Sequence, residues 1–147
     1  MKISINNVGG FSIHKKQIDK LFKLIRNEFK QLIGCQVSVA IIDNIEMKKL
    51  NNRYRRINKA TDVLSFPEYK SLKAINKKSY LGEIIISYPY IKKQAKENGK
   101  TIQWEIAYML THGLLHLIGY DHLNNKDEQR MKQKEKTIMQ KYDKIKL

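Results

Sequence analysis

The segment Thr111–His122, THGLLHLIGYDH, decides how the rest of the chain is read. It carries three of the four histidines in a sequence of 147 residues: His112, His116 and His122. At 100° per residue, Ile102, Ile106, Leu110, Gly113, Leu114 and Leu117 make one apolar stripe. The segment is therefore the end of an amphipathic helix running from about Thr101 to Ile118. His112 and His116 lie together at the border of that stripe, and an i, i+4 pair on one face can put two imidazoles on one metal ion. Gly119 is placed to end the helix in a left-handed turn, after which the chain folds back and brings His122 over the same point. Three neutral nitrogens with one open position make a catalytic rather than a structural zinc site. One histidine at a helix border is ordinarily a packed or surface residue; three at these spacings, with a glycine at the break, point to a metal. His14 stands alone near the N-terminus and receives no role.

The spacing His-x3-His-x2-Gly-x2-His is shared with the metzincin proteases, which carry a glutamate directly after the first histidine as general base. Here that position is Gly113, which argues against peptide hydrolysis while leaving the metal. Asp121 has two open roles: accepting the free N–H of a ligand imidazole, or capping the turn.

Outward from the histidines, KISINNV alternates as an opening strand before Gly9-Gly10. Helical spacing follows from Lys15 to Ile33, stopped by Gly34. QVSVAIID reads as a strand, NIEMKKLNNRYR as a helix with Met47 and Leu50 inward, and TDVLSF as a short strand ended by Pro67. Glu68 to Lys78 has no clear period and is expected to be a loop. LGEIIISY is a β-branched strand expected at the sheet centre. Pro89 starts a helix that Asn98-Gly99 closes, and Asn124 caps a last helix through Met131 and Ile138 to the charged tail. Strands and helices mix without strict alternation. The expected fold is α+β, one domain over 1–147, with a small mixed β-sheet flanked by helices and the metal site at the end of a central helix.

The hydrophobic content of 41% is enough for one core, and the net charge of +15 with a pI near 9.8 favours an anionic partner. Most of the 29 basic residues are lysine, a bias that base composition in the gene can also produce. The lone Cys35 makes no internal disulfide, no apolar run is long enough to span a membrane, and the N-terminus lacks the apolar core of a signal peptide. A cytoplasmic location is expected. Arginine is scarce, yet Arg53, Arg55 and Arg56 gather with Lys59 just before a strand, as phosphate contacts require, and Tyr54 among them offers a ring for a base.

HGLLHLIGYDH resembles the His-Gly-x-Leu-His-Leu-x-Gly-Tyr-Asp-His signature of the YbeY family, zinc-associated endoribonucleases that mature ribosomal RNA. Tyr54-Arg55 and TDVLSFP, Thr61 to Pro67, match further family segments in order. LGEIIIS also matches, with Glu83 where the family usually has Asp, so charge is kept. The resemblance implies His112, His116 and His122 as ligands of one Zn²⁺ per chain, with catalytic roles, and Arg55 as the functional arginine. It implies a single-strand-specific, metal-dependent endoribonuclease in 3′-end maturation of small-subunit (16S) ribosomal RNA and in ribosome biogenesis and quality control. The partners would be single-stranded RNA, the small subunit and its assembly factors, and no membrane. Two rivals stay open: a non-catalytic ribosome assembly factor, and a metallohydrolase of another substrate class. Three imidazoles suit Zn, Cu and Ni alike.

Overall fold

Four segments form strands: β1 (Lys2–Asn7), β2 (Gln36–Ile42), β3 (Val63–Pro67) and the isoleucine-rich β4 (Tyr80–Ser87). The helices α1 (Lys15–Glu28), α2 (Asn44–Arg55), α3 (Tyr88–Glu97), α4 (Ile102–Leu117) and α5 (Asn125–Ile145) lie between and after them. The computed structural model describes residues 1–76 and 78–145. Lys77, inside the expected loop, and Lys146 and Leu147, at the end of the charged tail, lie outside the described residues.

The sheet is mixed, in the order β1-β2-β4-β3. β1, β2 and β4 run parallel, and β3 pairs antiparallel with β4. Side-chain alternation separates two cores. Val37, Val39, Ile41, Ile84 and Ile86 face the larger one, with α1, α4 and α5. Ile42, Leu64 and Ile85 face a small one that Met47 of α2 closes. Each fully buried Ile or Leu contributes roughly 1.5–3 kcal/mol, so the α4 side dominates stability.

α4 is capped by Thr101, whose hydroxyl accepts from the Trp104 N–H at 3.1 Å. The helix crosses β3 and β4 so closely that a Cβ on Gly113 would lie 2.7 Å from Ile84 Cγ2 and 3.2 Å from Ser65 Oγ. The Ser65 hydroxyl donates to the Gly113 carbonyl at 3.3 Å. Gly113 is thus the contact that sets the height of the histidine helix above the sheet.

Two expectations need correction. The helix expected to Ile33 ends at Glu28, because Phe29 leaves helical geometry (φ −126°) and a 3-10 turn over Lys30–Leu32 follows. Phe29 and Leu32 both stay buried across that break, which turns the chain towards β2. The segment from Glu68 contains a 3-10 turn, Leu72–Ala74, and buries Ile75. Pro67 ends β3 as expected, as its last residue, opposite Gly82. Among the described residues no helix is long and apolar enough to cross a membrane.

Candidate metal centre

α4 ends in a tight reversal. The Tyr120 N–H donates to the Leu115 carbonyl at 2.9 Å and the Gly119 N–H to the His116 carbonyl at 3.1 Å, the paired bonds of a Schellman turn. Gly119 has φ +105°, a conformation L side chains rarely adopt. The reversal carries His122 back over the helix end, and one ring nitrogen from each of His112, His116 and His122 lies within 4.8 Å of the others.

The proton positions follow from the outer nitrogens. His116 Nδ1–H donates to the Tyr120 carbonyl at 2.9 Å. His112 Nδ1–H donates to Glu135 Oε1 of α5 at 2.6 Å. A carbonyl and an ionised carboxylate only accept, so both protons stay on Nδ1 and both Nε2 atoms present lone pairs. Those Nε2 atoms face each other at 3.2 Å. Lone pairs opposed at that distance repel unless a cation sits between them. Zinc–nitrogen bonds of about 2.0–2.1 Å at tetrahedral angles set neighbouring donors roughly 3.3 Å apart, so the donor set fits such an ion.

Burial lowers the pKa of His116, and a positive charge on His112 would lower it further, so its imidazole stays neutral and available to a metal. Burial works to raise the Glu135 carboxyl, but the hydrogen bonds from His112 and Tyr108 outweigh it and hold the pKa below its ordinary value. The Tyr108 hydroxyl donates to Glu135 Oε2 at 2.9 Å. Burial, then that bond to the carboxylate, pushes the Tyr108 hydroxyl well above the usual phenol range. Asp121 caps the turn: its Oδ1 accepts the His122 backbone N–H at 2.7 Å.

Glu135 is the residue the sequence reading missed. Its signal was present: Met131, Glu135, Ile138 and Tyr142 recur at helical spacing, and all four are buried. A carboxylate on an apolar stripe needs a partner, and the imidazole supplies it.

The histidines open into a cleft of about 880 Å³ walled by β3, the segment after it and the Gly119 turn, and Arg55 lines the same cleft. The other arginines of its cluster have different places. Arg56 is the left-handed cap of α2 (φ 57°), and the Arg53 guanidinium lies 5.5 Å from the Tyr54 ring centre. Tyr54 itself meets Phe66 edge-on at 5.0 Å. Glu83 shares the Ile85 face of β4, opposite α4, and does not line the cleft. His14 lies elsewhere, its backbone N–H donating to Gln103 at 3.2 Å.

The sequence profile of the family described as endoribonuclease YbeY matches residues 5–143. An endoribonuclease YbeY of Caldicellulosiruptor bescii is 42% identical over 152 aligned positions, covering 95% of this chain and 96% of the relative. One of Mycoplasma mobile is 36% identical, covering 87% and 85%. The solution structure of TM1509 from Thermotoga maritima matches with a TM-score of 0.66 at 30% identity, over 95% of this chain and 88% of that one. With a profile spanning nearly the whole sequence and relatives aligned over most of both lengths, the chain belongs to the endoribonuclease YbeY family, hydrolases that act on RNA.

Proposed function

We propose that this chain is a single-strand-specific, metal-dependent endoribonuclease, folded as one domain over 1–147. It holds one Zn²⁺ on His112, His116 and His122, and it acts in the cytoplasm on the 3′ end of small-subunit (16S) ribosomal RNA in assembling subunits. The observation that carries the reading is the pair of Nε2 lone pairs opposed at 3.2 Å in a cleft that Arg55 also lines. The family relationship supplies the RNA phosphodiester as substrate.

When bound, the ion supplies Lewis acidity to a phosphoryl oxygen or activates water. The protein's own residues do the rest. Glu135 and the Tyr120 carbonyl hold the two helix imidazoles in one tautomer and one orientation. The Arg55 guanidinium meets the scissile phosphate and stabilises the charge that grows on it in the transition state. A slot of about 880 Å³ suits an extended strand with unpaired bases better than a stiff duplex. Gly113 turns towards Ile84 rather than the cleft, so no carboxylate fits at the position where a metzincin protease keeps its base.

One observation favours the rival reading of an assembly factor whose ion organises a binding surface. Two carboxylates of the cleft are already committed to backbone N–H groups, Asp62 to Val63 at 2.7 Å and Asp121 to His122 at 2.7 Å. Glu68, exposed at the rim, is the remaining acid of the cleft wall.

The deciding experiment incubates metal-loaded wild type, His116→Ala and Arg55→Ala with single-stranded RNA, duplex RNA, unstructured polypeptide and precursor small subunits. Wild type is expected to cut only single-stranded RNA and the precursor, and His116→Ala to lose metal and cleavage together. Arg55→Ala should keep its metal yet fall about a hundredfold or more in single-turnover rate. Metal-loaded wild type that cuts no RNA in any form hands the function to the assembly-factor reading.

A further inference from the structure

Behind the Gly119 turn lies a second, larger cleft of about 1150 Å³, between the segment after β3 and the exposed flank of α5. It shares Lys70, Gly119, Tyr120 and Asp121 with the histidine cleft, so the two form one continuous path over the turn. Its walls carry five cations: Lys70 and Lys73 on one side, and Lys126, Arg130 and Lys134 on the other. Among the described residues, none of the five makes an ion pair, whereas Lys132, on another flank of α5, pairs with Glu128 at 3.0 Å.

The α5 cations stand at i, i+4 and i+8. Each step rises about 6 Å along the helix, comparable to the spacing of successive phosphates in an extended strand. Two acids share the wall. Asp121 accepts the His122 N–H, and Asp127 stands in the first turn of α5, at the positive end of the helix dipole. Leu123, 81% exposed at the rim, gives an apolar surface for a base beside this row of charge. Arg130 is one of only two arginines outside the Arg53–Arg56 cluster. The Lys134 ammonium sits over the Phe29 ring at 5.2 Å from its centre, which orients the side chain on the cleft wall.

We infer that this second cleft is a backbone subsite for single-stranded RNA, holding the strand on one side of the scissile phosphate after it passes Lys70 and Tyr120. The inference rests on the endoribonuclease reading and adds the track by which that site holds a longer substrate. It assigns substrate-length preference to the Lys126, Arg130 and Lys134 row, and it separates that row from the general positive charge of the chain.

The test compares metal-loaded wild type with two triple variants that lose the same charge. One is Lys126→Ala/Arg130→Ala/Lys134→Ala. The other is Lys92→Ala/Lys93→Ala/Lys96→Ala on the exposed face of α3. The probes are an oligo(U) dodecamer and a tetranucleotide. The α5 variant should bind the dodecamer roughly tenfold more weakly or worse, with the slope of log affinity against log salt reduced by about two, since each lost phosphate contact removes about 0.7 from it. Its kcat/KM on the tetranucleotide and its metal content should match wild type, and the α3 variant should match wild type on both probes. Lys126→Ala/Arg130→Ala, at two exposed positions, should show about two thirds of the change in slope and guards against a packing effect at Lys134. Equal losses in the α5 and α3 variants overturn the subsite, as do equal losses on long and short RNA. Wild type that cuts both probes while the α5 variant matches it removes the subsite alone. Wild type that neither binds nor cuts either probe removes the endoribonuclease reading and the subsite with it.

Discussion

His112 and His116 sit one turn apart on the same helix, yet different regions of the molecule hold them. His116 is fixed by its own neighbourhood: its Nδ1–H donates to the carbonyl of Tyr120, four residues on, inside the turn that Gly119 permits. His112 is fixed from a distance, by a buried carboxylate on α5 that Tyr108 of α4 braces in turn. The first arrangement uses a neutral backbone acceptor and depends on one glycine. The second uses a charge, depends on the docking of α5, and fails if either helix shifts. Equivalent ligands therefore differ in what can break them: backbone geometry for one, a side-chain network for the other.

The largest expected effect ignores this difference. His112→Ala and His116→Ala each remove one of three protein donors, and each should abolish stoichiometric binding of a divalent ion, read by metal analysis after dialysis. His14→Ala, outside the cleft, should bind like wild type. If His112→Ala and His116→Ala kept metal as well as His14→Ala, the donor set would be wrong.

Glu135 is the next point of attack, and it strikes the distal support alone. Glu135→Ala leaves the His112 Nδ1–H and the Tyr108 hydroxyl without their acceptor, and metal affinity should fall about 10- to 100-fold. Glu135→Gln keeps a carbonyl oxygen in reach of Nδ1–H and should lose less. No side-chain substitution at Tyr120 has a counterpart effect on His116, since that acceptor is backbone. Equal affinities for wild type, Glu135→Gln and Glu135→Ala in competition against a chelator would mean that α5 supports the helix but not the ligand.

The same contrast explains what the sequence disclosed. The local half was legible. The i, i+4 pair, the glycine at the break and the return of His122 all follow from helical spacing and from the freedom of Gly at positive φ, and the structure has each of them. Asn124 was legible as a cap, and its side chain accepts the Asp127 N–H at 2.9 Å. β4 was legible as central from its run of isoleucines, and it pairs on both sides. The distal half was not. Glu135 lies 23 residues from His112 in a lysine-rich helix where a glutamate ordinarily faces water. Only its register with Met131 and Ile138 marks it. The strand order is likewise set by long-range pairing, which periodicity does not encode. The end of α1 was misread for a related reason: the apolar spacing continues through Phe29 and Leu32, but the chain must turn to feed β2, and packing decides where.

Gly119→Ala attacks the local support, with a smaller effect. An L residue forced to φ +105° costs about 1–2 kcal/mol or more, and the added Cβ would lie 3.0 Å from Ser71 Cα. A cost of that size should lower the thermal midpoint by about 3–8 °C. Metal affinity should weaken by a few fold as the Tyr120 carbonyl and His122 shift together. A variant with an unchanged midpoint and affinity would show that the turn tolerates another cap and that His116 is less dependent on Gly119 than its geometry implies.

Tyr108→Phe should have the smallest effect, and it asks how far the distal network extends. The substitution keeps the ring and its stacking on Trp104, where the centroids are 5.4 Å apart, and removes only the O–H that donates to Glu135 Oε2. A hydrogen bond to a charged group contributes about 1.5–3 kcal/mol, but water reaching the half-exposed edge of Tyr108 replaces part of it, so a stability loss near the lower bound is expected. Glu135 retains its bond to His112, so metal affinity should change less than in Glu135→Gln. The informative measurement is the double-mutant cycle with Glu135→Gln, scored on thermal stability and on metal affinity. If Tyr108 acts through Glu135, the two substitutions should be non-additive in both readouts, because the second removes a partner the first has already lost. Non-additivity in stability alone would confine Tyr108 to packing α5 against α4, and the support of His112 would end at the carboxylate.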